Sequence, residues 1–118
     1  MKDTQLYEQL LGLSTPWMVE RVELALEAGT VTVYVQCDKG TVWGDPEAPG
    51  QRAHVHGWVR REWRHLDTCQ LETRIVAEVP RVKYKSGRVE EVTVPWAERY
   101  SRITRMMEGF VIQLLVAA

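Results

Sequence analysis

The sequence predicts an α+β fold: a mainly antiparallel β-sheet of two hairpins, a short N-terminal helix and a longer C-terminal amphipathic helix. Three observations predict it. Apolar and polar residues alternate from Arg21 to Cys37, and again from Gln70 to Tyr84. Glycine-containing turns, "EAGT" and "KSGR", interrupt or follow these runs. From Ser101 onward the apolar residues recur at three-four spacing, the period of a helix with one apolar stripe.

The elements follow in chain order. "DTQLYEQLLG" reads as a short helix that Asp3 or Thr4 can cap. Leu6, Leu10 and Leu11 share a side, and Gly12 can close it in a left-handed turn. "LSTPW" is the exit loop. "RVELALEAGTVTVYVQC" reads as a hairpin, with Val22, Leu24 and Leu26 on one arm and Val31, Val33, Val35 and Cys37 on the other. Gly29 is free to take a positive φ at the turn. Residues 38–57 are loop-like, and residues 58–69 fit neither period. "QLETRIVAEVPRVKY" reads as a long strand carrying Leu71, Thr73, Ile75, Ala77 and Val79 on one face. After the turn, "VEEVTVPW" returns as a strand with Val92 and Val94, and Pro95 should end it. In the last helix Ile103, Met106, Met107, Phe110, Val111, Leu114 and Leu115 form the stripe, with Ser101 as N-cap. That pattern still runs at Ala118, as expected of a domain from a longer protein. Residues 1–118 read as a single domain, and 101–118 as the start of a connection to a next one.

Composition bounds the function. The 118 residues are 45% hydrophobic and 26% charged, ordinary for a globular domain. Five tryptophans stand out. Two cysteines, Cys37 and Cys69, make no disulfide framework and read as free thiols of a cytoplasmic protein. "MKDTQLYEQLLGL" lacks the apolar core of a signal peptide. No run approaches the roughly 18 apolar residues that cross a bilayer, so no membrane partner is expected. The formal net charge of −1 hides an asymmetry. Residues 1–51 balance to −5 and residues 52–118 to +4. A basic half permits a local phosphate-binding face.

Trp63 to Asp67, Pro80 to Val82, Val94 to Ala97 and Ser101 to Thr104, in that order, resemble motifs of the N-terminal domain of insertion-sequence transposases of the ISL-three family. The opening "LYEQLLGL" and the "ERVEL" strand are also similar, so the resemblance covers nearly the whole chain. It implies a zinc-binding module in which two short knuckles each supply two of four tetrahedral ligands. Here Asp45 and Ala48 stand at the first pair of ligand positions, with Pro46 kept between them. Tyr84 and Gly87 stand at the second pair. The expectation is a degenerate zinc-ribbon-like region that folds without metal and needs no cofactor.

Other chemistry is sparse. His54 and His56 would share a side of an extended segment, and His65 and Cys69 would lie a turn apart on a helix. They read as surface or packing residues rather than metal ligands. Cys69, His65 and Asp67 are a weak match to a nucleophile with its base. The resemblance implies an acidic metal-binding triad in a later domain, so this chain reads as non-catalytic. DNA is the expected partner through basic clusters: Arg60, Arg61 and Arg64; Arg81, Lys83, Lys85 and Arg88; Arg102 and Arg105, which share a face near the last helix's start. The resemblance implies a part in recognising the ends of the element. The alternative is a protein-interaction module, forming a homo-oligomer through the C-terminal helix with Ile112 and Val116 beyond its stripe.

Overall fold

A computed structural model describes residues 3–117. Met1, Lys2 and Ala118, which the expected domain and last helix include, lie outside the described residues. The elements are α1 (Asp3–Leu11), β1 (Trp17–Ala25), β2 (Thr30–Cys37), β3 (Trp43–Asp45), β4 (Ala48–Thr68), β5 (Leu71–Lys83), β6 (Val89–Glu91) and α2 (Arg105–Ala117). The strands form one sheet in the order β1-β2-β5-β4-β3, with β6 also paired to β5. The α+β class, mainly antiparallel and flanked by a short and a longer helix, is the one the sequence predicts.

One pairing is parallel. β2 lies beside the first half of β5, from Thr30 opposite Glu72 to Val35 opposite Ala77. β6 then takes over that edge antiparallel, from Arg81 opposite Glu91 to Lys83 opposite Val89. The other edge of β5 belongs to β4 throughout. β5 is therefore the strand on which the sheet is assembled.

The largest departure from expectation is β4. Residues 48–68 form a single long strand, where the sequence suggested a loop to residue 57 and an ambiguous segment beyond it. It folds back onto β5 through a two-residue turn at Cys69 and Gln70, with Thr68 opposite Leu71. Both turn residues take positive φ, 50° and 68°. This is the backbone of the tight turn that matches strand twist. His65 and Cys69 are consequently on a strand and its turn, not on one face of a helix. β3 packs against the start of β4, so the turn at residues 46–47 is also a hairpin.

Smaller differences have clear causes. α1 buries Tyr7 and Leu11, while Leu6 and Leu10 stay exposed. Gly12 at φ 66° closes the helix, and the Leu13 amide reaches back to the Glu8 carbonyl at 2.9 Å. In β1 a register shift between Val19 and Arg21 breaks the alternation, and Leu24 ends up exposed. β6 ends at Glu91, well short of Pro95. The Val92 amide still donates to the Pro80 carbonyl at 3.0 Å, but Pro80 has no N–H to answer it. α2 starts at Arg105 rather than near Ser101, because the Thr104 hydroxyl accepts the Met107 amide at 3.2 Å and caps it.

The main core lies on one face of the sheet. Val33, Ile75 and Val79 are fully buried there. α1 and the irregular segment after β6, with Val94, Trp96 and Ala97, cover it. Trp96 is the centre of an aromatic triad. Trp17 and Trp63 meet it edge-on, with ring centroids 5.1 and 5.2 Å away. A smaller cluster of Ala53, Val82 and Tyr84 sits under the β3–β4 hairpin, joined by Trp43 and Val92. The burial phase of β5 changes at Pro80, so that Val82 and Tyr84 turn inward while Arg81, Lys83 and Lys85 turn outward.

Candidate nucleic-acid interface

The fold sorts the cations into two kinds. Most arginines are engaged by carboxylates. Arg60 meets Glu62 at 3.4 Å, and Arg61 meets Glu91 at 3.0 Å. These neighbours in sequence point to opposite faces of β4, as strand geometry requires. Arg64 is half-buried, held by Asp67 at 2.7 Å and by the Thr73 carbonyl at 3.3 Å. Arg105 pairs with Glu98 at 3.5 Å. Arg102 precedes α2 rather than sharing its face with Arg105. Its carbonyl accepts the Arg64 amide, and its side chain has no ion-pair partner among the described residues.

The second kind gathers on the β4–β5 ribbon. Arg81, Lys83 and Lys85 are exposed and without ion-pair partners among the described residues. Opposite them, in register, β4 places His54 beside Lys83. Arg52, also exposed and unpaired among the described residues, lies two residues before His54 on the same side. Side chains directly opposite in an antiparallel pair share a face, so His54, Arg81 and Lys83 line one side of the sheet; Glu91 of β6, opposite Arg81, shares it and is engaged by Arg61 at 3.0 Å. Nothing in the sequence marks Arg52, because its Gly- and Pro-rich neighbours show no strand period. The β4 strand places Arg52 two residues before His54, which is opposite Lys83, and Lys85 follows in the turn after β5.

Arg88 is not one of the free cations. Its guanidinium meets Glu47 at 2.6 Å, Asp45 at 3.3 Å and Glu90 at 3.8 Å. It also lies over the Tyr84 ring, 4.4 Å from the centroid. The hydrogen bond to Glu47 pushes the Arg88 pKa up. Burial and a hydrogen bond to Glu90 push Tyr84 up as well.

The remaining candidates are structural. His65 is buried, with Nδ1 2.7 Å from the Thr104 hydroxyl, and burial holds its pKa below the usual imidazole value. Cys37 is buried and Cys69 exposed, both as free thiols. Burial raises the Cys37 thiol pKa. On the open face of the sheet a groove of about 580 Å³ mixes Arg21, Lys39 and Arg60 with Glu20, Asp38 and Glu78. That balance does not select phosphate.

Comparison with known proteins finds matches that cover this part of the chain. Residues 41–86, which hold β3, β4 and β5, match the family described as the zinc-finger of transposase IS204/IS1001/IS1096/IS1165. The chain is similar over 99% of its length to two curated proteins, each a transposase for insertion sequence element IS1557. They come from Mycobacterium tuberculosis strains CDC 1551 / Oshkosh and ATCC 25618 / H37Rv, and both are 28% identical to it. The chain spans 28% of the length of these relatives. No solved structure matches. Residues 41–86 are thus similar to a transposase zinc-finger segment, in line with the resemblance of the motifs.

That family implies zinc, and the residues here do not fit it. Of the four positions that the resemblance marks, Ala48 and Gly87 carry no donor. Asp45 Oδ1 already accepts the Glu47 amide at 2.9 Å and meets Arg88. The Tyr84 hydroxyl donates to Glu90 at 2.9 Å. No group of three His, Cys, Asp or Glu among the described residues is placed to hold a metal. No helix among them is long and apolar enough to cross a membrane.

Proposed function

We propose that the chain is a non-catalytic, cytoplasmic DNA-binding domain of an insertion-sequence transposase, helping to recognise the ends of the element. The observation that carries this reading is the group of unpaired cations, Arg52, Arg81, Lys83 and Lys85, on the β4–β5 ribbon and the turn after it. Phosphate binding needs cations that are not already neutralised. Similarity to transposases over nearly the whole chain supports the same reading.

The test is fluorescence anisotropy of a labelled random-pool duplex at two salt concentrations. The wild type should bind in a salt-sensitive way. Arg81→Ala/Lys83→Ala/Lys85→Ala should lose at least tenfold in affinity while staying folded. Unchanged affinity in the folded variant would remove the ribbon from the interface.

Assembly is the second reading, and one observation favours it. α2 buries none of its residues, and Phe110 and Leu115 are 45% and 72% exposed. A homo-oligomer through this helix would be insensitive to salt, where DNA binding is not. Sedimentation at high salt separates the two.

A further inference from the structure

We infer that Arg88 is a built-in cationic cross-link that holds together the β3–β4 and β5–β6 turns, in place of the metal ion that the family's zinc-finger segment implies. The geometry is that of one cation shared by two turns. From the first turn come Asp45 at 3.3 Å and Glu47 at 2.6 Å. From the second side come the Tyr84 ring face at 4.4 Å and Glu90 at 3.8 Å. The two marked positions that still carry a polar side chain, Asp45 and Tyr84, both touch this guanidinium.

The site is not a surface ion pair of the ordinary kind. The Asp45 side chain is only 7% exposed. A carboxylate so buried needs a positive partner, and losing that partner leaves an uncompensated charge. Arg88 Nε is itself buried, with no hydrogen-bond partner. Arginine suits the position because its planar fork engages several oxygens at once and stacks on an aromatic ring. Lysine, a point charge, could not do both. The backbone around it is ordered to match: the Tyr84 amide donates to the Arg88 carbonyl at 2.8 Å, and the Gly87 amide to the Tyr84 carbonyl at 2.9 Å. Arg88 thereby fixes the end of the ribbon that carries Lys83 and Lys85, without offering its own charge to a ligand.

Amide hydrogen exchange on the full chain tests this. Arg88→Met should speed exchange at Glu47, Tyr84 and Gly87 at least tenfold, and leave Val33 and Ile75 unchanged. Asp45→Asn should do the same, and the double variant should be no faster than the faster single one. Glu47→Gln, at an exposed site, should fold and show a smaller effect in the same amides. Added zinc should change none of these rates in the wild type. The inference is overturned if Arg88→Met and Glu47→Gln leave the turn amides protected, if the Arg88 and Asp45 effects simply multiply, or if zinc slows exchange at the two turns.

Discussion

The Thr104 hydroxyl serves two groups at once, His65 Nδ1 at 2.7 Å and the Met107 amide at 3.2 Å. It caps α2 and satisfies a buried imidazole with the same atom. Thr104→Ala should therefore cost more than a lone cap: about 1 kcal/mol for the cap and about 1–3 kcal/mol for the stranded imidazole nitrogen, measured by urea unfolding. His65 also sets a pH dependence. Its pKa is lowered in the fold by burial, so the unfolded chain binds the proton more readily. Stability should be fully present above the unfolded value of about 6.5 and fall as the pH drops from there toward the folded pKa. In His65→Gln that slope should shrink, and an unchanged slope would assign it to other groups. Neither role was legible in the sequence. His65 pairs with a residue far along the chain, and no local pattern announces a contact of that range.

Among the elements, the hairpin of β4 and β5 is the instructive case. Its second arm was legible, since Thr73, Ile75, Ala77 and Val79 alternate cleanly and are buried. Its first arm was not. Residues 48–58 are largely exposed, so selection for apolar alternation is weak there. The turn also hides itself, because Cys69 and Gln70 adopt left-handed backbone that Asn-Gly normally signals. A non-glycine residue pays roughly 1–2 kcal/mol in that region. Cys69→Asn/Gln70→Gly should accordingly raise unfolding stability by about 1 kcal/mol. A loss would mean that the two side chains contribute contacts outweighing the strain. α2 was legible as a helix from its spacing, but its packing was not. Phe110→Lys/Leu115→Lys should leave thermal stability nearly unchanged, since exposed positions rarely contribute beyond about 0.5 kcal/mol. The same pair of changes would abolish an oligomer built on α2.

For the molecule as a whole, the charge asymmetry of the sequence pointed to a basic half but overstated what is free. Arg88 reaches Asp45 and Glu47 across more than forty positions, and Arg61 reaches Glu91 across thirty. Such pairings follow from the sheet order and are invisible to composition. Four free cations on the ribbon bound the expected electrostatics: log affinity for duplex DNA against log salt should have a slope of about −3 to −4, and each cation removed should flatten it by about 0.9. A slope near −8 would show that the paired arginines bind phosphate as well. The length of β4 adds a consequence for phasing. From His54, beside Lys83, the strand runs to Arg64, which is bridged to Ile103 just before α2. About ten extended residues span roughly 30 Å, close to the ~34 Å pitch of a duplex. On the proposed reading, β4 is long enough to hold the cation-bearing end of the sheet and the start of α2 about one duplex repeat apart.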